Sequence, residues 1–154
     1  SEHKMKLAEA LVERKAAQEK ISELHERLQR VVLVQEGEAP AEDPATLRRE
    51  LAEVAERITA LIIAINRTNI TVRIADGRSI MEAIAERDVL RHRVGVLDAV
   101  RGAASQPFRQ RGAEIRLVST VDVAALQRER DGLAKRQREV DTMIQEANWS
   151  HDLT

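Results

Sequence analysis

The chain has 154 residues, 43% hydrophobic and 33% charged, at a formal net charge of −1; this is the length of one domain and the balance of amphipathic helices rather than a disordered tail. The absence of cysteine excludes disulfides, thiolate nucleophiles and cysteine metal sites, and one Phe, one Trp and no Tyr leave few rings on which bases could stack. No apolar run reaches the ~18 residues of a membrane span and no signal-peptide core opens the chain, so the expectation is one helical domain over residues 1–154, cytoplasmic and with no membrane partner.

Residues 1–4 read as a loose end. From Lys6 the apolar positions Leu7, Leu11, Ala17, Ile21, Leu24, Leu28 and Val31 keep a helical period, which predicts a first helix of ~25 residues. Val31-Val32-Leu33-Val34 is β-branched and fits either a buried last turn or a short strand. Gly37 stops the element, and Glu36 to Asp43 form an acidic connection.

The second helix carries the most regular pattern. Leu47, Leu51, Val54, Ile58, Leu61, Ile65 and Thr68 alternate steps of four and three, the seam of a helix packed against another. Asp43 is placed to cap it and Pro44 to occupy its first position, and the first two helices are expected to fold back as an antiparallel hairpin. Between Ala60 and Ile65 the helix is apolar on every side, which calls for burial against more than one neighbour.

After Asn69 the period changes to alternation at Ile70, Val72 and Ile74, which predicts a short strand. Asp76-Gly77 marks a turn, and Ser79 with Glu82 a capping box for a third helix that fades near Ala104. Residues Gln106 to Gly112 read as a loop and Ile115 to Val118 as a second short strand. Ser119 to Asp122 cap a fourth helix bearing Leu126, Leu133, Val140 and Ile144, which ends near Asn148 and leaves residues 150–154 to fray. The fold class that follows is mainly α: an antiparallel bundle of about four long helices with two or three short β-strands at its ends.

No arrangement of catalytic residues emerges, and no cofactor is implied. The positions three before His25 and His92 are Ser22 and Val89, so the Glu-x-x-His pattern of diiron bundles is missing. Glu50, Glu53 and Glu56 recur every third residue but lack an acidic counterpart on another helix for a magnesium site, which favours a solvated face. Residues 61–116 carry an excess of +4, all of it arginine. Acidic residues interleave with Arg87, Arg91, Arg93, Arg101, Arg109, Arg111 and Arg116, so ion pairing is favoured over nucleic-acid binding.

Two surfaces remain as candidates. A polar set, Asn66, Arg67, Asn69, Arg78, Asn148 and Trp149, could bind a small anion or nucleotide at one end of the bundle. An apolar set, Ile62, Ile63 and Ile65 with Ile70, Val72 and Ile74, could join copies into a homo-oligomer. The oligomeric, non-enzymatic reading is the leading expectation.

Several stretches taken together resemble the septicolysin-like family of small bacterial proteins: Met5-Lys6-Leu7-Ala8-Glu9-Ala10-Leu11, Val34-Gln35-Glu36-Gly37-Glu38, Ile65-Asn66-Arg67-Thr68-Asn69, Arg87-Asp88-Val89-Leu90, Ser119-Thr120-Val121-Asp122-Val123 and Gln145-Glu146-Ala147-Asn148-Trp149. The resemblance covers nearly the whole chain and implies no catalytic residues. The family name implies a pore-forming haemolysin, against which stand the absent secretion signal, the single tryptophan and a chain too short for a large β-barrel toxin.

Overall fold

The computed structural model describes residues 4–105 and 116–154. The protein is mainly α-helical: α1 (Leu7–Val31), α2 (Pro44–Thr71), α3 (Ile80–Ser105) and α4 (Val123–Ser150). It divides into two compact units, one running up to Val72 and including Ala147–Thr154, the other Arg73–Glu146.

The first unit is built on the α1–α2 hairpin. Asp43 starts α2 as the pattern predicts, accepting hydrogen bonds from the Ala45 amide at 3.1 Å and the Thr46 hydroxyl at 3.0 Å. These two donors, the amide first, hold its carboxyl below the usual range. Arg57 of α2 meets Glu13 of α1, and Lys20 meets Glu50. Seven residues forward on α1 thus correspond to seven back on α2, the signature of antiparallel helices in a constant register. Along the seam Leu24, Val31 and Leu47 are buried together, with Leu28, Leu51 and Val54 packed against them; nearer the end of α2, Ile58, Leu61, Ile65 and Thr68 are buried.

Residues 151–154 are tied down rather than frayed. The Leu7 amide, which no side chain caps, donates to the His151 carbonyl at 3.0 Å, and the Leu153 amide donates to Met5 at 2.8 Å. Lys6 pairs with Asp152 at 2.7 Å, and the Thr154 amide donates to the hydroxyl of fully buried Thr68 at 2.9 Å. An orphan donor of the α1 start is satisfied in this way by backbone distant in sequence.

The second unit is the antiparallel pair of α3 and the length of α4 up to Glu146. Arg87 meets Asp141 and Arg130 meets Asp98, so eleven residues forward on α3 answer eleven back on α4. Ile80, Ala83, Leu90 and Val94 are buried on α3, and Ala134, Val140 and Ile144 on α4. Both caps form: the Glu82 amide donates to Ser79 Oγ and the Ala125 amide to Asp122 Oδ1, each at 3.1 Å.

The expected short strands are not seen among the described residues. Ile70 and Thr71 continue α2 as helix, and the segment after it makes one isolated bridge, Arg73 with Ser79, around a turn in which Gly77 has φ 88° and donates to the Ile74 carbonyl. The alternation at Ile70, Val72 and Ile74 defines no common face, since Ile70 is 56% exposed and Ile74 is buried. Val32 to Val34 extend neither the helix nor a sheet and are exposed. Residues 116–118 form no strand either, while Ile115 lies outside the described residues, as does the loop expected over 106–112. An isolated strand with no partner row leaves its backbone groups unpaired and has nothing to hold it.

Leu24 is fully buried in the α1–α2 seam. Leu24→Ala is expected to cost about 2–5 kcal/mol of unfolding free energy, measured by urea denaturation, whereas removal of an exposed side chain such as Leu33 is expected to leave stability within about 0.5 kcal/mol.

Candidate functional site

The polar residues singled out in the sequence fall in different surroundings. Asn66 and Arg67 lie exposed on the penultimate turn of α2, and Asn69 is half-buried. They do not close the helix. That is done by Thr71, whose hydroxyl donates to the Arg67 carbonyl at 3.0 Å, and by the Val72 amide, which donates to Thr68 at 2.9 Å. Asn148, in the last turn of α4, is 6% exposed, while its neighbour Trp149 is 61% exposed. The polar group that sequence reasoning missed as a binding hub is Thr68, whose hydroxyl donates to the Ala64 carbonyl at 2.7 Å and accepts from the Thr154 amide. The signal was present, because a hydroxyl at a seam position needs partners once it is buried.

Arg78 belongs to the second unit and is engaged there. Its Nε donates to Asp76 Oδ2 at 3.0 Å and its Nη1 to Glu86 Oε2 at 2.7 Å. Nη2 also stands 3.0 Å from Asp76 Oδ2 but at an angle that makes no hydrogen bond. Arg136 of α4 donates to both oxygens of Glu86, at 2.7 and 3.3 Å. The Glu86 carboxylate is thus clamped between two guanidinium groups. Arg136 first, and then Arg78 against the opposing effect of burial, hold its pKa below the ordinary range; Arg78 does the same for Asp76. The arrangement consumes the positive charge of Arg78 in joining α3 to α4 and the turn before α3.

The remaining arginines divide. Arg87 pairs with Asp141 and Arg130 with Asp98, and Arg101 bonds to Gln127. Arg91, Arg93 and Arg116 are exposed, while Arg109 and Arg111 lie outside the described residues. Glu50 pairs with Lys20, and Glu53 and Glu56 face solvent. Among the described residues no group of three or more His, Asp or Glu side chains is placed to hold a metal ion, and no helix is long and apolar enough to cross a membrane.

The apolar set divides as well. Ile65 and Ile74 are buried and Val72 is half-buried, but Ile62, Ile63 and Ile70 are 37, 53 and 56% exposed. Ile63 and Ile70 are seven residues apart and share one face of α2, away from the seam of Leu61, Ile65 and Thr68. On α3 an open groove of ≈ 550 Å³ is lined by Asp88, Arg91, His92, Gly95, Val96 and Ala99.

Residues 14–153 match the model of a protein family, DUF6847, described as a family of unknown function. The chain is also similar to a protein seen in the crystal structure of a functionally unknown conserved protein from Corynebacterium diphtheriae. The two are 35% identical with a TM-score of 0.92, over 99% of this chain and 100% of that one. No curated protein matches the chain.

The Glu86 clamp sets a pH dependence. A carboxylate that ionises more readily folded than unfolded adds stability that is fully present above the unfolded-state pKa and is lost as pH falls through the lower, folded value. Denaturation of Glu86→Gln is therefore expected to show about 1 kcal/mol less stability than the parent at pH 7. The difference should shrink below about pH 4; a difference independent of pH would show that the ion pairs are not its source.

Proposed function

The chain belongs to this family of unknown function, and from that premise we propose that it works by self-association, with copies meeting through the exposed apolar face of α2. One observation supports the reading: Ile62, Ile63 and Ile70 stay exposed while Leu61, Ile65 and Thr68 on the seam of the same helix are buried. Three isoleucines within nine residues of one helix are a concentration of apolar surface that a stable monomer rarely leaves to water. Burying them would contribute on the order of 1 kcal/mol or more for each side chain in each copy, at roughly 25 cal/mol per Å². The neighbouring polar residues suit the rim of such a contact. Asn66 lies between Ile63 and Ile70 along the helix, and Arg67 is exposed beside it.

Sedimentation velocity tests the reading. The parent chain is expected to sediment above the 17.3 kDa of a single copy at micromolar concentration, and Ile63→Asp to sediment as a smaller species than the parent with unchanged helix content. A parent chain that stays monomeric to high concentration would overturn the reading, as would an Ile63→Asp variant that associates as well as the parent.

A further inference from the structure

α3 has a second face of its own. Its buried residues Ile80, Ala83, Leu90 and Val94 lie on one side, whereas Met81, Val89, Val96 and Val100 are 51, 59, 48 and 38% exposed. At ~100° per residue the exposed set is centred roughly 150° around the helix from the buried one. Along it Ala85, Val89, His92, Val96, Ala99 and Ala103 step by four and three alternately, as the residues of a helix–helix seam do. His92, Gly95, Val96 and Ala99 form the four-residue diamond into which a knob from a facing helix fits. They line the open groove, and a Cβ placed at Gly95 would meet nothing within 4 Å.

We propose that this face takes a second copy of the chain, α3 against α3 and antiparallel, about a two-fold axis between Leu90 and Arg91. Charge complementarity selects the occupant. In that register Glu86 and Arg93 flank one side of the seam, and each faces its opposite across the axis, so the Arg93–Glu86 contact occurs twice by symmetry. Arg93 is exposed and makes no ion pair with another described residue, so its charge is available. Glu86 is already bonded to Arg78 and Arg136, but a carboxylate has about four acceptor sites and can take a further donor. Side-chain volume selects the direction. The antiparallel register sets Ala85 against Val96 and Val89 against His92, a small residue facing a larger one at the outer layers. A parallel register would stack alanine on alanine and valine on valine, leaving voids and crowding in turn. This face lies on a different helix from the α2 contact and does not depend on it.

The lack of native cysteine makes the test direct. Ala85 and Val96 are eleven residues apart, roughly 16 Å along one helix, too far for a disulfide within a single α3. Mild oxidation of the full chain carrying both Ala85→Cys and Val96→Cys is expected to give a covalent dimer on a non-reducing gel, and each single variant to remain uncrosslinked. A double variant that stays monomeric, or a single variant that crosslinks to its own copy, would overturn the proposal. Both positions are exposed, and circular dichroism checks that the helix survives. As a measurement free of cysteine, Arg93→Glu is expected to weaken self-association on the order of tenfold through two reversed contacts, and an unchanged dissociation constant would count against the register. The crosslink should persist when Ile63→Asp is added. Its loss there would overturn the independence of this face, while its persistence with α2 association abolished separates the two contacts.

Discussion

The antiparallel register of α1 against α2 is the constraint from which the rest of the first unit follows. Glu13 with Arg57 and Lys20 with Glu50 fix it at the surface, but such exposed pairs contribute little to stability, typically under about 1 kcal/mol each. The seam beneath them supplies the energy. Leu24, Leu47, Leu61 and Ile65 are each at most 2% exposed, and sliding either helix by one residue would turn that row away from its partner. Once the seam is set, the position of every other side chain of α2 is set with it. Ile63 and Ile70 then have no place in the hairpin.

The second unit repeats the device with more charge and less apolar seam. Here arginine and carboxylate pairs span α3 and α4 at several levels, and Glu86 is the most constrained of them, held by a guanidinium from each side. Partly buried charge of this kind serves registry better than stability, because a shifted register would leave a carboxylate or a guanidinium desolvated without its partner. From the arginine-rich middle of the sequence, Arg78 and Arg87 are taken up in such pairs.

Much of this was legible in the residues themselves. The alternating steps of four and three in α2, the Asp43–Pro44 start and the Ser79 and Asp122 caps each carry a local physical reason, and each stands where the pattern put it. The short strands failed because alternation in Ile70, Val72 and Ile74 is a statement about side chains, whereas a strand also needs a neighbour for its backbone. Helical backbone hydrogen bonds, running on to the Val72 amide on the Thr68 carbonyl, were closer to hand. The tether of residues 151–154 was not legible, since it depends on Lys6, Met5, Leu7 and Thr68, which lie far off along the chain. Of the polar residues grouped as a site, Arg78 could not be judged without knowing that Asp76 and Glu86 would claim it. The exposed apolar faces were readable only by subtraction, after the seams had taken their share.

The central claim is that the apolar face of α2 left over by the hairpin is where copies of the chain meet. A spin label on a single cysteine introduced at Asn66, which lies exposed between Ile63 and Ile70, reads this most directly through pulsed dipolar spectroscopy. The account predicts a defined short distance between labels on different copies, abolished by Ile63→Asp. A featureless background decay at concentrations well above micromolar would contradict it.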